Sequence, residues 1–437
     1  MPRLIVRRSL TAAGIYSSVV LGFLGTVVAT REFHSAVKFG VFSTVLFATS
    51  LLQSFFDLTV EEALVKYGFR YITREDWGRL RQLFSSALRV KLAGSAAGAA
   101  GLLLFAALAP APLAVPLLVA AGIPLGYSLE GLAGAALFLR SRYDVRSAFL
   151  AWSMALRLAG IAIGAHYGIA WAVAGILIAQ VMSAVSVGIA GWLAFHRFPQ
   201  APSETLGDDR RSIVSFVLQS SVATGVISLR GGLAPLLLGA VKGTGQVGLF
   251  KIAQSPQAGF QALSAPARMV LLTEQTREWE RGRQASVLAG VRRYSLVAFG
   301  LALVAVPPLY WFLPDLIRVI NGPQYVSAAS AARVLLLAAA VQLVVGWTKS
   351  FPVTIGRPNL RIWTHGIETI VILPLVVALG ALWGATGAAI AILAGMCAFA
   401  VVWGWIFLRI RPDDVHAPSS LDEAVADAEA EAGALLR

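Results

Sequence analysis

Cysteine is all but absent: Cys397 stands alone in an apolar block, which excludes an internal disulfide. It reads as a small residue in a helix core. Histidine is scarce too, with five residues at 34, 166, 196, 365 and 416 and no metal-ligand spacing among them. The sequence contains no HExxH, Cys/His cluster, Walker A loop, nucleophile elbow or paired catalytic carboxylates, so it indicates no metal, cofactor or catalytic centre. Charge is the third scarcity. Asp, Glu, Lys and Arg make up 14% of the 437 residues, against about 25% in a soluble domain.

Apolar residues fill that space, at 57% of the chain with a mean hydropathy of +0.73. They come in blocks of bilayer length whose backbone must bond internally, so the fold class is all-α and polytopic. Hydropathy places twelve helices at 10–29, 37–58, 86–109, 113–138, 147–167, 170–194, 213–240, 247–272, 294–313, 328–349, 361–381 and 384–408. The opening MPRLIVRRSL looks like a signal-peptide start, but no A-x-A site follows, so the first block is read as an uncleaved helix. Residues 75–89 alternate basic residues with Trp77, Leu80, Leu83 and Phe84, which predicts an amphipathic helix on the membrane surface.

The net charge of +13 would suggest nucleic acid in a soluble protein. Here it is confined to short loops, so nucleic acid is excluded as a partner and anionic lipid is expected. Of the 36 Lys and Arg residues, 26 fall at one end of the helices. Only Arg31, Lys38, Lys242, Lys251 and Arg318 fall at the other. This bias predicts an even helix count with both termini in the cytoplasm.

Segments about 208 residues apart are alike: Phe39-Gly40-Val41-Phe42 matches Val247-Gly248-Leu249-Phe250. Later, Gly168-Ile169-Ala170-Trp171-Ala172 matches Gly384-Ala385-Thr386-Gly387-Ala388. Two six-helix lobes related by a parallel repeat follow, at 1–195 and 213–411. Residues 196–212 form a Pro-containing cytoplasmic linker, and 412–437 an acidic, disordered tail.

Several segments together resemble a known family. They are Arg31-Glu32-Phe33, Asp57-Leu58-Thr59, Ala63-Leu64-Val65-Lys66-Tyr67, Gly245-Gln246-Val247-Gly248, Gly322-Pro323-Gln324-Tyr325, Gly356-Arg357-Pro358 and Trp383-Gly384-Ala385-Thr386. In order and helix register the chain resembles the polysaccharide-biosynthesis flippases of the multidrug/oligosaccharidyl-lipid/polysaccharide exporter superfamily. The resemblance implies two lobes around a central cavity, alternating access, and an undecaprenyl-diphosphate-linked oligosaccharide as substrate. It also implies membrane lipids and other polysaccharide-assembly proteins as partners. One departure stands out: family members often carry an acidic residue in the seventh helix, whereas residues 212–240 contain none.

Two arginines lie near mid-membrane, where an arginine costs roughly 2.5–3.5 kcal/mol on insertion scales and needs a cavity or a partner. They are Arg157 in the fifth helix and Arg230 in the seventh. Both are expected to line the central cavity and hold the substrate diphosphate. The alternative is an ion pair within a lobe, to Glu130, Glu368 or the Asp57/Glu61/Glu62 cluster. Arg268 and Lys66, near the cytoplasmic ends of their helices, are further candidates for the diphosphate, against simple snorkelling. Asp57, Glu61 and Glu62 are candidates for a coupling cation, against pairing with Lys66 or Arg70. Gly225, Gly231, Gly232 and Pro235 would loosen the seventh helix, and Pro256 and Pro266 would bend the eighth.

Three other functions are weighed against flipping. A drug/cation antiporter of the same superfamily would want a buried carboxylate in the first or seventh helix. A membrane polysaccharide polymerase or ligase would want a large outer loop. A scaffold without transport would leave the deep arginines purposeless.

Overall fold

Runs of twenty or more apolar residues leave the backbone no partner but itself, and helix is what these segments form. The computed structural model describes residues 2–260, 275, 278, 279, 283–349, 351–355 and 359–409. In chain order the helices are α1 (Pro2–Phe33), α2 (Ala36–Phe56), α3 (Val60–Thr73), α4 (Trp77–Leu108), α5 (Ala111–Ala120), α6 (Ile123–Leu139) and α7 (Tyr143–Tyr167). They continue with α8 (Ile169–His196), α9 (Asp209–Lys242), α10 (Thr244–Ala253), α11 (Gln284–Ile320), α12 (Ala329–Val344), α13 (Phe351–Thr354) and α14 (Asn359–Arg409). Among the described residues, ten segments are long and apolar enough to cross a membrane. The last of these is a hairpin, because the backbone breaks at Gly384 and Gly395 returns to pack on Ile372. The expected eighth helix continues past α10 to Phe260. Its remainder, with Pro266 and Arg268, lies outside the described residues, as does the chain beyond 409.

In the first half α1 packs on α7, while α7 and α6 both pack on α8. In the second half α9 and α12 pack on the α14 hairpin, and α11 packs on α12. The halves join mainly through α2, which lies against both α9 and α10. Between α8 and α9, residues 197–208 carry no helix.

The two copies of the repeat meet in space. A Cβ on Gly40 would sit 1.8 Å from the Thr244 carbonyl oxygen, and one on Gly248 2.5 Å from that of Ala36. Here α2 and α10 cross backbone to backbone, at the Arg-poor end of the bundle. The later pair of repeats marks two hairpin turns: Gly168 separates α7 from α8 at φ +126°, and Gly384 divides α14 at φ +58°. Gln246 accepts a hydrogen bond from the Ala385 amide at 2.8 Å, so two of the motif segments hold each other.

The two ends of the bundle are built differently. Toward the Arg-poor end one apolar core runs through both halves, uniting Phe39, Phe42 and Val45 with Phe250, Tyr325 and Leu335. A polar clasp closes over it. Asn321 donates to Thr30 Oγ1 at 3.1 Å, and the Tyr325 hydroxyl lies 3.3 and 3.2 Å from the carbonyls of Thr30 and Ser35. Arg31 caps the carbonyls of Val319 and Ile320. Toward the Arg-rich end the described cores are separate. One gathers Leu64, Tyr71, Leu83 and Ile213, and the other Trp347, Phe351 and Trp403.

Several expectations are corrected. Residues 77–89 are not a surface helix but the first turns of α4, capped by Asp76, which accepts from the Arg79 amide at 3.1 Å. Leu80, Leu83 and Ala87 bury against α3, and a one-sided apolar period looks the same for either arrangement. Cys397 is exposed on the bundle surface, not in a core. Beside these corrections, Trp347 and Trp403 sit in an aromatic core, with ring centroids 5.6 Å apart. The seventh helix, α9, is helical through Gly225, Gly231, Gly232 and Pro235.

Candidate functional site

A charge carried into a membrane helix is stable only with a partner or with water. Most of the deep cations here have a carboxylate. Lys91, its side chain 1% exposed, pairs with Asp57 and, at 3.0 Å, with Glu61. Arg146 lies 3.5 Å from Glu130, whose other oxygen accepts from Gln180 at 2.8 Å. Arg230 pairs with buried Glu368, whose second oxygen lies 2.9 Å from His365 Nδ1.

Arg157 and Lys251 differ. Among the described residues neither has a carboxylate within ion-pair distance, and both line one cavity of about 400 Å³ between the halves. Ser43, Phe47, Ser50 and Ser54 of α2 form one wall, with Arg157 of α7 beside them. Ser228, Gly231 and Gly232 of α9 and Lys251 of α10 form the other. Among the described residues, no acidic side chain lines this cavity. Lys251 Nζ lies 5.0 Å from the Phe47 ring centroid.

Lys251 was not among the expected site residues, because its place among the first turns of a helix reads as a loop cation. It lies seven residues into α10, roughly 10 Å along the helix axis. The signal that finds it is the 208-residue repeat, which pairs Lys251 with Ser43, and both face the same cavity. Lys91 is likewise buried, within the first half.

Lys251 also lines a second, larger cavity of about 720 Å³. This one is apolar. Val19 and Phe23 of α1, Pro256 and Phe260 beyond α10, and Leu313 and Ile317 of α11 form its walls.

The expected constellation is therefore only partly assembled. Arg157 faces the interlobe cavity, whereas Arg230 adopts the ion-pair alternative in a cavity of about 110 Å³ with His365 and Glu368. Lys66 rests over the Phe216 ring at 4.5 Å, near the Arg-rich end. Arg268 lies outside the described residues. Asp57 and Glu61 are held by Lys91, not by Lys66 or Arg70, because the chain bends between α2 and α3 and turns them toward α4. Arg70 pairs instead with Asp209 at 3.4 Å, and Glu62 accepts from Ser220.

No family model matches the sequence, and no curated protein is similar to it. Solved structures match over nearly its whole length. An inward-facing multidrug resistance MATE family transporter of the MOP superfamily superposes with a TM-score of 0.69 at 14% identity, over 89% of this chain and 94% of that one. The lipid II flippase MurJ in an inward closed conformation gives 0.72 at 13% identity, over 91% of this chain and 87% of that one. A MOP superfamily transporter from Pyrococcus furiosus Vc1 (DSM3638) gives 0.58 at 14% identity, over 92% and 94%. The reverse polarity of its binding pocket is described as suggesting a different function. The chain thus has the two-lobed, all-helical fold of MOP superfamily transporters.

Proposed function

We propose that this chain is a flippase that carries an undecaprenyl-diphosphate-linked oligosaccharide from the cytoplasmic to the outer leaflet by alternating access, for surface polysaccharide biosynthesis. The observation that carries the reading is the pair Arg157 and Lys251, one from each half, facing a shared cavity that no carboxylate of the described residues lines. Two unneutralised cations in a low-dielectric site need an anion, and a diphosphate supplies the acceptor oxygens that guanidinium and ammonium donors match. Lys251 also lines the apolar cavity beside α1 and α11, so a charged head and a hydrocarbon chain fit on its two sides. That combination describes a lipid-linked anion better than a soluble one.

In this reading the Arg-rich end faces the cytoplasm, as the charge bias requires. The shared core and clasp then seal the outer side, and the chain stands in a cytoplasm-facing state. Residues 1–195 and 213–411 are the moving bodies, joined by 196–212. Asp57, Glu61 and Glu62 fix Lys91 and α9 rather than exchange a coupling cation. Arg230 steadies α9 against α14.

The likeness to multidrug transporters favours a second reading, a drug/cation antiporter of the same superfamily. The sign of the cavity argues against it. Proteoliposomes separate the two: the wild type should expose a fluorescent polyprenyl-diphosphate oligosaccharide to an added lectin, and Arg157→Gln/Lys251→Gln should not. Expulsion of a cationic dye with no movement of the lipid would establish the antiporter instead.

A further inference from the structure

Along α2 the hydroxyl side chains divide into two sets. Thr44 and Thr49, both buried, donate back to the carbonyls of Gly40 and Val45 at 2.8 and 2.7 Å. This is the usual resting place of a hydroxyl in a membrane helix. Ser43, Ser50 and Ser54, on the interlobe cavity, make no hydrogen bond among the described residues, and neither does Ser228 across from them on α9. Ser43 is the most telling of the four. It is 1% exposed, and its Oγ is buried without any partner. Such a group is kept where something else supplies the bond.

The spacing is ordered as well. Steps of seven and four residues return each serine to within about 40° of one helix face, and the three span roughly 16 Å along the axis. They share the cavity with Arg157 and Lys251. Phosphoryl oxygens only accept hydrogen bonds, and the two cations already serve them. Hydroxyls both donate and accept, and so complement a ligand that does the same.

We propose that Ser43, Ser50, Ser54 and Ser228 form a carbohydrate subsite, which binds the sugar hydroxyls next to the phosphoryl group that Arg157 and Lys251 hold. The proposal rests on the anionic-lipid reading of the cavity and extends it to the part of the substrate that is read. Neutral hydroxyls exchange readily with water, so they hold the sugar without trapping it, as translocation demands.

The test compares two probes on the purified full chain in lipid nanodiscs: undecaprenyl diphosphate, and the same lipid carrying one hexose. Ser43→Ala/Ser50→Ala/Ser54→Ala should weaken binding of the glycosylated lipid by about tenfold or more, because a site built for hydroxyls loses its partners. Binding of the bare diphosphate should stay within about twofold, and Ser50→Thr, which keeps its hydroxyl, should bind like wild type. Ser43→Ala alone should raise the thermal midpoint of the ligand-free protein, since it removes an unpaired buried hydroxyl. Equal loss for both probes, or no loss for either, would overturn the subsite while leaving the cationic cavity intact. A wild type that binds neither probe would overturn both.

Discussion

Replacing Lys91 should cost far more stability than replacing Lys251, although both are lysines deep in the bundle. The Lys91 side chain is 1% exposed and bridges Asp57 and Glu61, whose side chains are 22% and 36% exposed. Lys91→Ala therefore strands two carboxylates in a poorly solvated site. Breaking a buried pair costs about 3–5 kcal/mol, and the partial exposure of Glu61 puts this case near about 3 kcal/mol. For a cooperative unit of roughly 200 residues, each kcal/mol is worth about 2–4 °C, so the melting temperature should fall by about 6–12 °C. Lys251→Ala strands no carboxylate among the described residues. It forfeits the contact with Phe47, worth about 0.5–1 kcal/mol, and relieves repulsion from Arg157, so the midpoint should move by no more than about 2 °C. Tryptophan fluorescence during heating in detergent reads both variants, and Lys91→Met/Asp57→Asn/Glu61→Gln should recover most of the loss. Equal destabilisation by the two lysine variants would refute the division into structural and ligand-facing cations.

Three further outcomes are expected. Gly40→Ala places a methyl 1.8 Å from the Thr244 carbonyl and must push α2 from α10, so spin labels at Val37 and Thr244, in a Cys397→Ser background, should move apart. An unchanged distance would contradict the backbone crossing. Arg230→Leu should destabilise by leaving buried Glu368 unpaired, while Arg230→Leu/Glu368→Leu recovers stability; additive losses in a double-mutant cycle would deny the pair. Tyr325→Phe removes a hydroxyl shared between Thr30 and Ser35 and should weaken the clasp by about 1 kcal/mol, speeding cross-linking of buried cysteines placed behind it. A slower reaction would speak against the clasp.

Much of this architecture was legible in the residues. Long apolar runs dictated helices, and the glycines of the repeat marked both the α2–α10 crossing and the two hairpin turns, because a backbone approach or a positive φ leaves few other choices. The site was harder to read. Depth along a helix identified Arg157 and Arg230 but not the direction in which each points. Only the packing of α9 on α14 sends Arg230 to Glu368, 138 residues away in sequence. Lys251 was hidden by its position near a helix start. What separates a structural charge from a ligand-facing one is whether a carboxylate stands opposite, and that is a property of the folded chain.

The most direct measurement of the central claim is the affinity of the purified protein for a polyprenyl diphosphate as the cavity charge is removed one step at a time. Arg157→Gln and Lys251→Gln should each weaken binding about tenfold or more, with the double variant weaker still and Arg230→Gln weakened far less. Unchanged affinity in the double variant, or a loss confined to Arg230→Gln, would contradict a cationic cavity shared between the halves.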